Sequence, residues 1–483
     1  MAADRLTGLD ASFLHLERDG AHMHVASTLI FDGPAPDYTD FRDHLASRLH
    51  LVPRFRQKLR FVPLEQGRPV WVDDPHLNLD YHIRHTALPA PGSEEQLRNF
   101  AARAFSQGLD RSKPLWELWL VDGLEGDRFA LVSKTHHCLI DGVSGADITT
   151  VLFDASPDPA PADPPPPWMA RPEPSGLELL TSALGERATQ PAELVRGIRA
   201  LARGPRQALG VARDAIAAAA SFAGSGLAAP ESPLNATIGS HRRFAWVRTD
   251  LPTLRRIKQS HGGTVNDVIL SVVAGALGRH LRALGHSTQD LELIAMVPVS
   301  VRSAEGHGAL GNQVSAMLAP LPIWCEDPVE RLAIVTTKMG DLKGSNQAVG
   351  ANLLTELTGF APPTIASQAA RLQSRQRFFN LVITNIPGPQ FPLYLLGRRM
   401  RDLFPMVPLA KRQAVCVGIM SYDGGINFGL IGDYEAMPLL DSFADDIKQT
   451  LDELASTAPA DEAQAGSGVA ESVAQPRNAA LPS

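Results

Sequence analysis

The stretch that decides the fold is FALVSKTHHCLIDG, residues 129–142 of a 483-residue chain. Its first seven residues, Phe129–Thr135, are mostly apolar or β-branched, which predicts a β-strand. Two histidines follow directly, and if the strand continues through them, His136 and His137 point to opposite faces. Only one of the two imidazoles can then face a given substrate.

The sequence around this stretch predicts a mixed α/β unit. The β-rich run Glu117–Val121 precedes it across the turn sequence GLEGD, so the two runs should form a hairpin. After the motif, Ser144 and Asp147 have the spacing of a capping box, and a helix should begin at about Gly145. Residues 1–154 are therefore interpreted as one domain.

The middle of the chain, residues 155–240, is interpreted as a linker and a helical crossover. The segment SPDPAPADPPPPWMARPEPSG, residues 156–176, is proline-rich and should be extended. Leu177–Gly224 is rich in Ala, Leu and Arg, which is typical of amphipathic helices. Two interpretations stay open: a crossover packed on two cores, or a lid or membrane-facing surface whose arginines contact anionic headgroups.

A second α/β domain is predicted over residues 241–457, followed by a disordered tail over residues 458–483, where large apolar residues are few. The β-rich runs of this second domain are Leu291–Val301, Asn380–Thr384, Ala414–Ser421 and Ile426–Ile431. The predicted fold class is therefore α/β, with two halves of similar size.

Composition excludes several classes of function. The formal net charge is −7 and no long basic stretch is present, so nucleic acid is not expected as a partner. No nucleotide, flavin or metal motif is visible, and we expect no cofactor. The sequence has neither a long apolar run nor a signal peptide, which predicts a cytoplasmic location. The spacing of certain histidines and cysteines matches no metal-site motif and no disulfide framework. These residues are His22, His24, His82, His85, Cys138, Cys325 and Cys416.

The histidine motif predicts general-base chemistry, because the ordinary pKa of a histidine lies near neutral pH. A structural alternative is a pair of core histidines beside a turn. Asp141 is interpreted as a buried anion that pairs with an arginine, and Arg302 is the candidate. Cys138 is expected to be buried packing and not a nucleophile.

The stretch GGTVNDVIL, residues 262–270, predicts the start of a buried helix. Thr264 is the expected N-cap and Asp267 the capping-box acid. Asn266 then lies in the first turn, where its amide could donate to an oxyanion. The alternative is that Asn266 is an ordinary helix-start residue.

Two further runs are weaker. The PLW run at residues 114–116 is either core or a substrate wall, and the turn after residue 384 either lines a pocket or reverses the chain. The candidate substrate-binding residues are Pro114, Leu115, Trp116, Gly142, Asp267, Asn385, Pro387 and Gly388.

With these residues, the sequence resembles the bacterial wax ester synthase/acyl-CoA:diacylglycerol acyltransferase family. The resemblance extends from about Leu6 to about Leu454. The resemblance is carried by LTGLDASFLHLE, PLW, HHCLIDG, PLNATIG, HRRFAW, GGTVNDVIL, MVPVSVR, LGNQVS, NLVITNIPGP and SYDGGINFG. The HxxxDG pattern alone is shared with condensation domains and chloramphenicol acetyltransferase, but the whole set is more specific. Ala236 and Asp423 depart from the pattern and leave acceptor preference open.

The resemblance implies two chloramphenicol-acetyltransferase-like domains with an active-site tunnel between them. It implies that His137 is the base for direct acyl transfer from long-chain acyl-CoA to diacylglycerol or a fatty alcohol, at the inner membrane or at lipid droplets. The expected catalytic set is His136, His137, Asp141 and Asn266. The alternatives are a catalytically weak lipid-binding protein and a condensation-type acyltransferase with another acceptor. The oligomeric state stays open.

Overall fold

In the computed structural model, the described residues are 4–17, 20–139, 152–159, 164–186, 229–300, 314–344 and 378–459. They contain two six-stranded sheets and one three-stranded sheet. The strands are β1 (Asp4–Arg5), β2 (His24–Asp32), β3 (Gln57–Arg60), β4 (Val70–Asp73), β5 (Ile83–Ala87), β6 (Trp116–Leu124), β7 (Arg128–His136), β8 (Arg242–Asp250), β9 (Glu292–Ser300), β10 (Val314–Pro322), β11 (Leu381–Pro387), β12 (Tyr394–Leu395), β13 (Arg398–Met406), β14 (Val415–Tyr422) and β15 (Gly425–Asp433).

Helices cover these sheets. The α-helices are α1 (Gly8–Leu16), α2 (Tyr38–Arg48), α3 (Leu79–His82), α4 (Glu94–Ser106), α5 (Leu251–His261), α6 (Val265–Ala283), α7 (Pro328–Gly344) and α8 (Leu440–Ser456). Residues 176–186 are also helical and are called the linker helix below. No helix of the described ranges is both long enough and apolar enough to cross a bilayer.

The first large sheet has the order β12-β13-β2-β7-β6-β5. The predicted hairpin is confirmed: β6 and β7 pair in antiparallel register, with Trp116 opposite Thr135. On the other side of β7, His24 of β2 lies opposite His136. The strand therefore ends at the first histidine of the motif, with a second histidine beside it.

The two strands at one edge of this sheet, β12 and β13, come from the second half of the chain. Strand β13 pairs with β2, with Met406 opposite Ala26 and Met400 opposite Phe31. The sequence did not indicate β13, because RRMRDLFPM mixes charged and apolar residues without the alternation of a half-buried strand. The second half of the chain therefore completes the sheet of the first half.

The second large sheet has the order β10-β9-β11-β14-β15-β8. Its predicted runs are confirmed as β9, β11, β14 and β15. Helix α6 packs on it and is buried over most of its length. The predicted capping box is also confirmed: the Thr264 side chain accepts from the Asp267 N–H, and the Asp267 carboxylate accepts from the Thr264 N–H.

A shared core joins the two large sheets. It contains Ile30 and Val132 from the first sheet and Trp246 and Cys416 from the second. Phe404 of β13 stacks on Trp246, with ring centroids 4.4 Å apart. The two sheets therefore pack against each other, while the tunnel expected between the halves stays a prediction.

Residues 164–175 of the predicted linker contain neither helix nor strand, and residues 156–158 form bends, so a fully extended linker stays a prediction. The linker helix then packs on the small sheet, order β1-β4-β3, through Leu179 and Ala183. The rest of the predicted amphipathic segment, residues 187–224, lies outside the described residues, as does the predicted tail from residue 460 onward.

Candidate active site

Three consecutive backbone amides fix the histidine motif. The His136 N–H donates to the Leu115 carbonyl at 2.9 Å, and the His137 N–H donates to the Met23 carbonyl at 2.8 Å. The Cys138 N–H donates to Nδ1 of His136 at 3.1 Å. Strand β7 ends at His136, and a 3-10 turn begins at His137. Because the strand stops at His136, alternation along a strand does not set the direction of the His137 side chain, and the two imidazoles have different contacts.

His136 is a buried member of a polar cluster. Its side chain is 1% exposed, and Nε2 lies 3.2 Å from Oε2 of Glu17. Its Nδ1 also lies 2.9 Å from the Cys138 sulfur. The imidazole of His136 is therefore held at both nitrogens.

His137 has a different environment. Its ring stacks on Phe13 of α1, with centroids 3.9 Å apart and planes at 24°. Its Nδ1 is out of contact with solvent and has no hydrogen-bond partner in the described part of the chain. Burial lowers the pKa of His137 to about 4. The imidazole is therefore neutral near pH 7, which is the form that a general base requires.

Glu17 is the centre of the polar cluster. Its carboxylate contacts Arg111 at 2.5 Å and the imidazoles of His22 and His24 at 3.2 and 3.4 Å, in addition to His136. Burial alone would raise the pKa of Glu17, but the hydrogen bonds with His136, His22 and Arg111 and the nearby His24 imidazole hold it well below its usual range. The carboxylate is therefore ionised.

Glu17, His22 and His24 also form a group that the sequence analysis did not expect. One ligand atom from each lies within 4.8 Å of the others, which is close enough for a metal ion. However, the same carboxylate already accepts hydrogen bonds from Arg111 and His136. A cation would have to compete with that guanidinium, so the expectation of no metal stays a prediction.

The second candidate region is the start of α6. Asn266 is half-buried in the first turn, and Asp267 is 2% exposed with its carboxylate engaged in the cap. The capping role of Asp267 accounts for its position without a substrate. Within the described residues, no hydrogen bond or ring contact joins Asn266 to His137, and the oxyanion role of Asn266 stays a prediction.

The PLW run belongs to the core. Leu115 is fully buried and Trp116 is 1% exposed. The Trp116 indole N–H donates to the Phe55 carbonyl at 2.8 Å, and its ring stacks on Phe55 and His82. The core interpretation of the aromatic is confirmed, and Leu115 serves the site through its carbonyl, which holds His136. A substrate contact by these side chains or by the buried Pro114 stays a prediction.

Other candidate residues are placed as follows. Asn385 is half-buried near the end of β11, and Pro387 is exposed at its last position. The Gly388 N–H donates to Oγ of Ser421 at 3.2 Å. Asp423, one of the two departures from the resemblance, pairs with Arg399 at 2.7 Å. Three candidate residues lie outside the described ranges, namely Gly142, Asp141 and Arg302. The predicted Asp141–Arg302 pair therefore stays a prediction.

Cys138 is fully buried, as expected, and burial raises the pKa of its thiol well above its usual range. It is therefore inert packing. Cys138 lies in the 3-10 turn that follows β7 and not on the strand itself.

Sequence reasoning missed three residues of this site: Phe13, Glu17 and Arg111. The first two lie in the LTGLDASFLHLE block, which was used only as a mark of resemblance. Their spacing of four residues places both on one helix face, and this signal could have been found. Arg111 lies in a turn, and nothing in the local sequence connects it to Glu17.

Two family profiles cover most of the chain. The profile described as the wax ester synthase/diacylglycerol acyltransferase catalytic domain matches residues 6–269. The profile described as the WS/DGAT C-terminal domain matches residues 310–455.

Individual relatives agree with this match. A Mycobacterium tuberculosis protein named as a diacylglycerol O-acyltransferase, tgs1, is 33% identical over 438 residues, which cover 90% of this chain and 92% of the relative. A second protein of that name from M. tuberculosis, Rv1760, is 33% identical over 464 residues, covering 94% of this chain and 90% of the relative.

Solved structures support the same fold. The wax ester synthase/diacylglycerol acyltransferase from Marinobacter aquaeolei VT8 superposes with a TM-score of 0.67 at 30% identity, covering 94% of this chain and 99% of that one. The starter condensation domain of rhizomide synthetase shares the fold at 12% identity, with a TM-score of 0.56 and coverage of 95% and 94%.

The fold and the histidine motif define an acyltransferase of the chloramphenicol-acetyltransferase-like class. Within that class, the chain belongs to the wax ester synthase/diacylglycerol acyltransferase family.

Proposed function

We propose that this enzyme transfers a long-chain acyl group from acyl-CoA directly to the hydroxyl of diacylglycerol, and also accepts long-chain alcohols. The observation that carries the proposal is the state of His137, whose imidazole is neutral and held between a fixed backbone and the ring of Phe13. Diacylglycerol is placed first because the curated relatives are named for that acceptor.

The reaction needs one proton carrier and no acyl-enzyme intermediate. The imidazole of His137 removes the proton from the acceptor hydroxyl as its oxygen attacks the thioester carbonyl. The tetrahedral intermediate collapses with cleavage of the carbon–sulfur bond, and the imidazolium returns the same proton to the CoA thiolate. Cys138 takes no part, because its thiol is buried and protonated.

The negative charge that develops on the carbonyl oxygen in the tetrahedral intermediate needs a hydrogen-bond donor. Asn266 lies in the first turn of α6, where unpaired N–H groups and the positive end of the helix favour an anion. We assign it that role, and we assign Asp141, with Arg302, to ordering the loop after His137. Neither acyl-CoA binding nor the reaction requires a cofactor in this scheme.

The second part of the proposal is that the acceptor is taken from a lipid surface, because diacylglycerol and long-chain alcohols are insoluble in water. Its support is a set of exposed apolar side chains on the small-sheet turn and the linker, called the apolar patch below. They are Phe61, Leu64, Met169 and Leu177, with exposed fractions of 48%, 81%, 88% and 71%. Large apolar side chains at such exposure are suited to insertion below the headgroups.

The segments that carry the patch are neighbours. The turn that bears Leu64 lies against the linker helix, since a methyl group at Gly176 would be 3.3 Å from Cγ of Pro63. Beside Met169, the guanidinium of Arg56 lies 4.7 Å from the centre of the Trp168 ring. This arrangement combines apolar tips with a cation, which suits an anionic bilayer or droplet surface.

A product assay tests the proposed reaction. Purified protein would be given labelled palmitoyl-CoA with diacylglycerol in anionic vesicles, with hexadecanol, or with no acceptor, and the lipids would be separated. We expect triacylglycerol and wax ester, and no labelled protein after denaturation. A stable acyl-protein would contradict direct transfer, and lipid binding without any product would favour the lipid-binding alternative.

A further inference from the structure

Helix α1 and its C-cap residue present two side chains to the histidine motif. Phe13 lies in the last turn of α1, and Glu17 is the C-cap, whose N–H donates to the Phe13 carbonyl. The Phe13 ring stacks on His137, and the Glu17 carboxylate contacts His136. The C-terminal end of one short helix thus contacts both imidazoles, although only His137 has been assigned to proton transfer.

The hydrogen bonds of His136 define its tautomer. A backbone N–H can only donate, and the Cys138 N–H points at Nδ1 of His136 from 3.1 Å. The Cys138 sulfur lies 2.9 Å from the same Nδ1, and its protonated thiol is a second donor that fits a lone pair there. Nδ1 must therefore carry a lone pair, and in the neutral ring the proton lies on Nε2. Nε2 is the atom that faces the Glu17 carboxylate at 3.2 Å.

The Glu17 carboxylate is well suited to select this tautomer. Its side chain is 11% exposed, and Arg111 contacts the same oxygen that faces His136. An ionised carboxylate accepts hydrogen bonds and donates none, so a protonated Nε2 opposite it is favoured and an unprotonated Nε2 is not. In a buried site that preference is strong, because water is not present to compensate a mismatched pair.

We infer that Glu17 is a positioning residue: by holding the Nε2–H form of His136, it keeps Nδ1 available to the Cys138 amide and so fixes the turn that carries His137. This inference rests on the proposed role of His137 as the base. Without the carboxylate, the proton can move to Nδ1, where it would face the Cys138 N–H donor. The turn would then loosen, and His137 would lose its alignment with the acceptor hydroxyl.

The expected consequence is a loss of turnover without a loss of acyl-CoA binding. A shift of about 1 Å in a reacting group can cost about 100-fold in rate. We therefore expect Glu17→Leu to lower kcat by about 10- to 100-fold while KM for acyl-CoA changes less than twofold. Glu17→Gln keeps an acceptor oxygen, so its kcat should fall between those of the wild type and Glu17→Leu.

The matched control is Leu16→Ala, one residue away on the same helix. The Leu16 side chain is 38% exposed, and the change should leave kcat and KM as in the wild type. Circular dichroism and thermal unfolding would be recorded for each variant. Should Glu17→Leu fail to fold, Glu17→Gln and the spectrum of the wild type decide the question.

The tautomer itself can be measured without any turnover. Nitrogen-15 NMR of protein labelled in its histidine rings distinguishes a protonated from an unprotonated Nδ1, and the His136 signals are identified by their loss in His136→Gln. We expect an unprotonated Nδ1 in the wild type and a protonated or averaged Nδ1 in Glu17→Leu. A protonated Nδ1 in the wild type, or a Glu17→Gln enzyme with unchanged kcat, would overturn the inference. If the wild type makes no acyl product, the proposed function fails, while the NMR experiment still tests the tautomer.

Discussion

The carboxylate of Glu94 and the guanidinium of Arg248 form a two-pronged ion pair, with both nitrogen–oxygen distances at 2.8 Å. Glu94 is the first residue of α4, and Arg248 lies on β8 of the second sheet. The same guanidinium also contacts Asp402 of β13 at 3.1 Å. One arginine therefore links the first half, the second half and the strand that crosses between them.

Replacing Glu94 by Gln should weaken the contact between the halves. We expect the free energy of unfolding to fall by about 1–2 kcal/mol, because the charge-assisted pair is lost but Arg248 is partly exposed to water. Urea unfolding followed by fluorescence would measure it. Glu95→Gln, at the next position of the same helix, is the control. Equal stability of the two variants would show that the pair contributes nothing measurable.

The two histidines should differ in their effect on turnover. His137→Ala removes the proposed base and should lower kcat by about 10²–10⁴-fold with a native circular dichroism spectrum. His136→Ala leaves the base in place and should retain measurable activity, although the turn is less well held. An assay with labelled acyl-CoA and a soluble alcohol compares them. Complete loss in both variants would contradict this division of roles.

The activity should persist to unusually acid pH. Burial holds the pKa of His137 at about 4, against 6.5 for an ordinary histidine. The base therefore stays neutral at pH 5.5, and kcat/KM for a soluble alcohol should be nearly the same at pH 5.5 and pH 7.5. A half-maximal value near pH 6.5 would show that the base titrates like an ordinary imidazole and would contradict the lowered pKa of His137.

The same low pKa has a consequence for stability. The unfolded chain binds a proton on His137 more tightly than the folded chain does, so stability is greatest above about pH 6.5 and falls as the pH drops toward 4. Urea unfolding at pH 7.5 and pH 5 should therefore give a lower midpoint at pH 5. His137→Gln should show a smaller difference between the two values.

Gly429 should tolerate no side chain. It lies on β15 where β13 passes closely, and a methyl group there would be 1.8 Å from the Pro405 carbonyl oxygen. We expect Gly429→Ala to destabilise the protein by about 1–3 kcal/mol or more, because backbone on both sides must move. Gly340→Ala in α7 is the control, since no atom lies within 4 Å of that position and alanine favours a helix. A normal melting temperature for Gly429→Ala would mean that β13 does not pack there.

The apolar patch should govern attachment to lipid. The double variant Leu64→Ser/Leu177→Ser removes two exposed side chains and should lower binding to anionic vesicles at least tenfold, since each buried leucine contributes about 1.5–3 kcal/mol. The matched control is Leu284→Ser/Leu439→Ser, at 43% and 48% exposure elsewhere. Co-sedimentation measures binding, and a soluble alcohol substrate checks that the site is intact. Equal binding of the two double variants would place lipid entry outside the patch, for instance in residues 187–224.

Much of the local structure could be predicted from the sequence. The hairpin of β6 and β7 and the capping box at Thr264 are determined by residues close together in the chain, and both are confirmed. Strand β13 could not be predicted, because its register depends on β2, more than 360 residues earlier. The sequence of β13 has no strand-like alternation, and the segment forms a strand because it pairs with β2.

The site divides in the same way. The motif at residues 136–142 indicated where a proton could be moved, because the histidines adjoin the end of a strand. The cluster around Glu17 could not be inferred. Its carboxylate follows α1, two imidazoles come from β2 and the segment before it, the third comes from β7, and the guanidinium comes from a turn. Only the assembled structure shows that the Glu17 carboxylate contacts the imidazole of His136, whereas the imidazole of His137 stacks on Phe13.

The position of β13 also constrains the order in which the chain can mature on the ribosome. Strand β2 emerges early, but the strand that covers its edge begins only at Arg398 of 483 residues. Until then the nascent chain carries an open strand edge, which is a template for pairing with other chains. The first sheet therefore stays incomplete at this edge until β13 has been synthesised, and a chaperone that binds the nascent chain before that point would hold a sheet without β12 and β13.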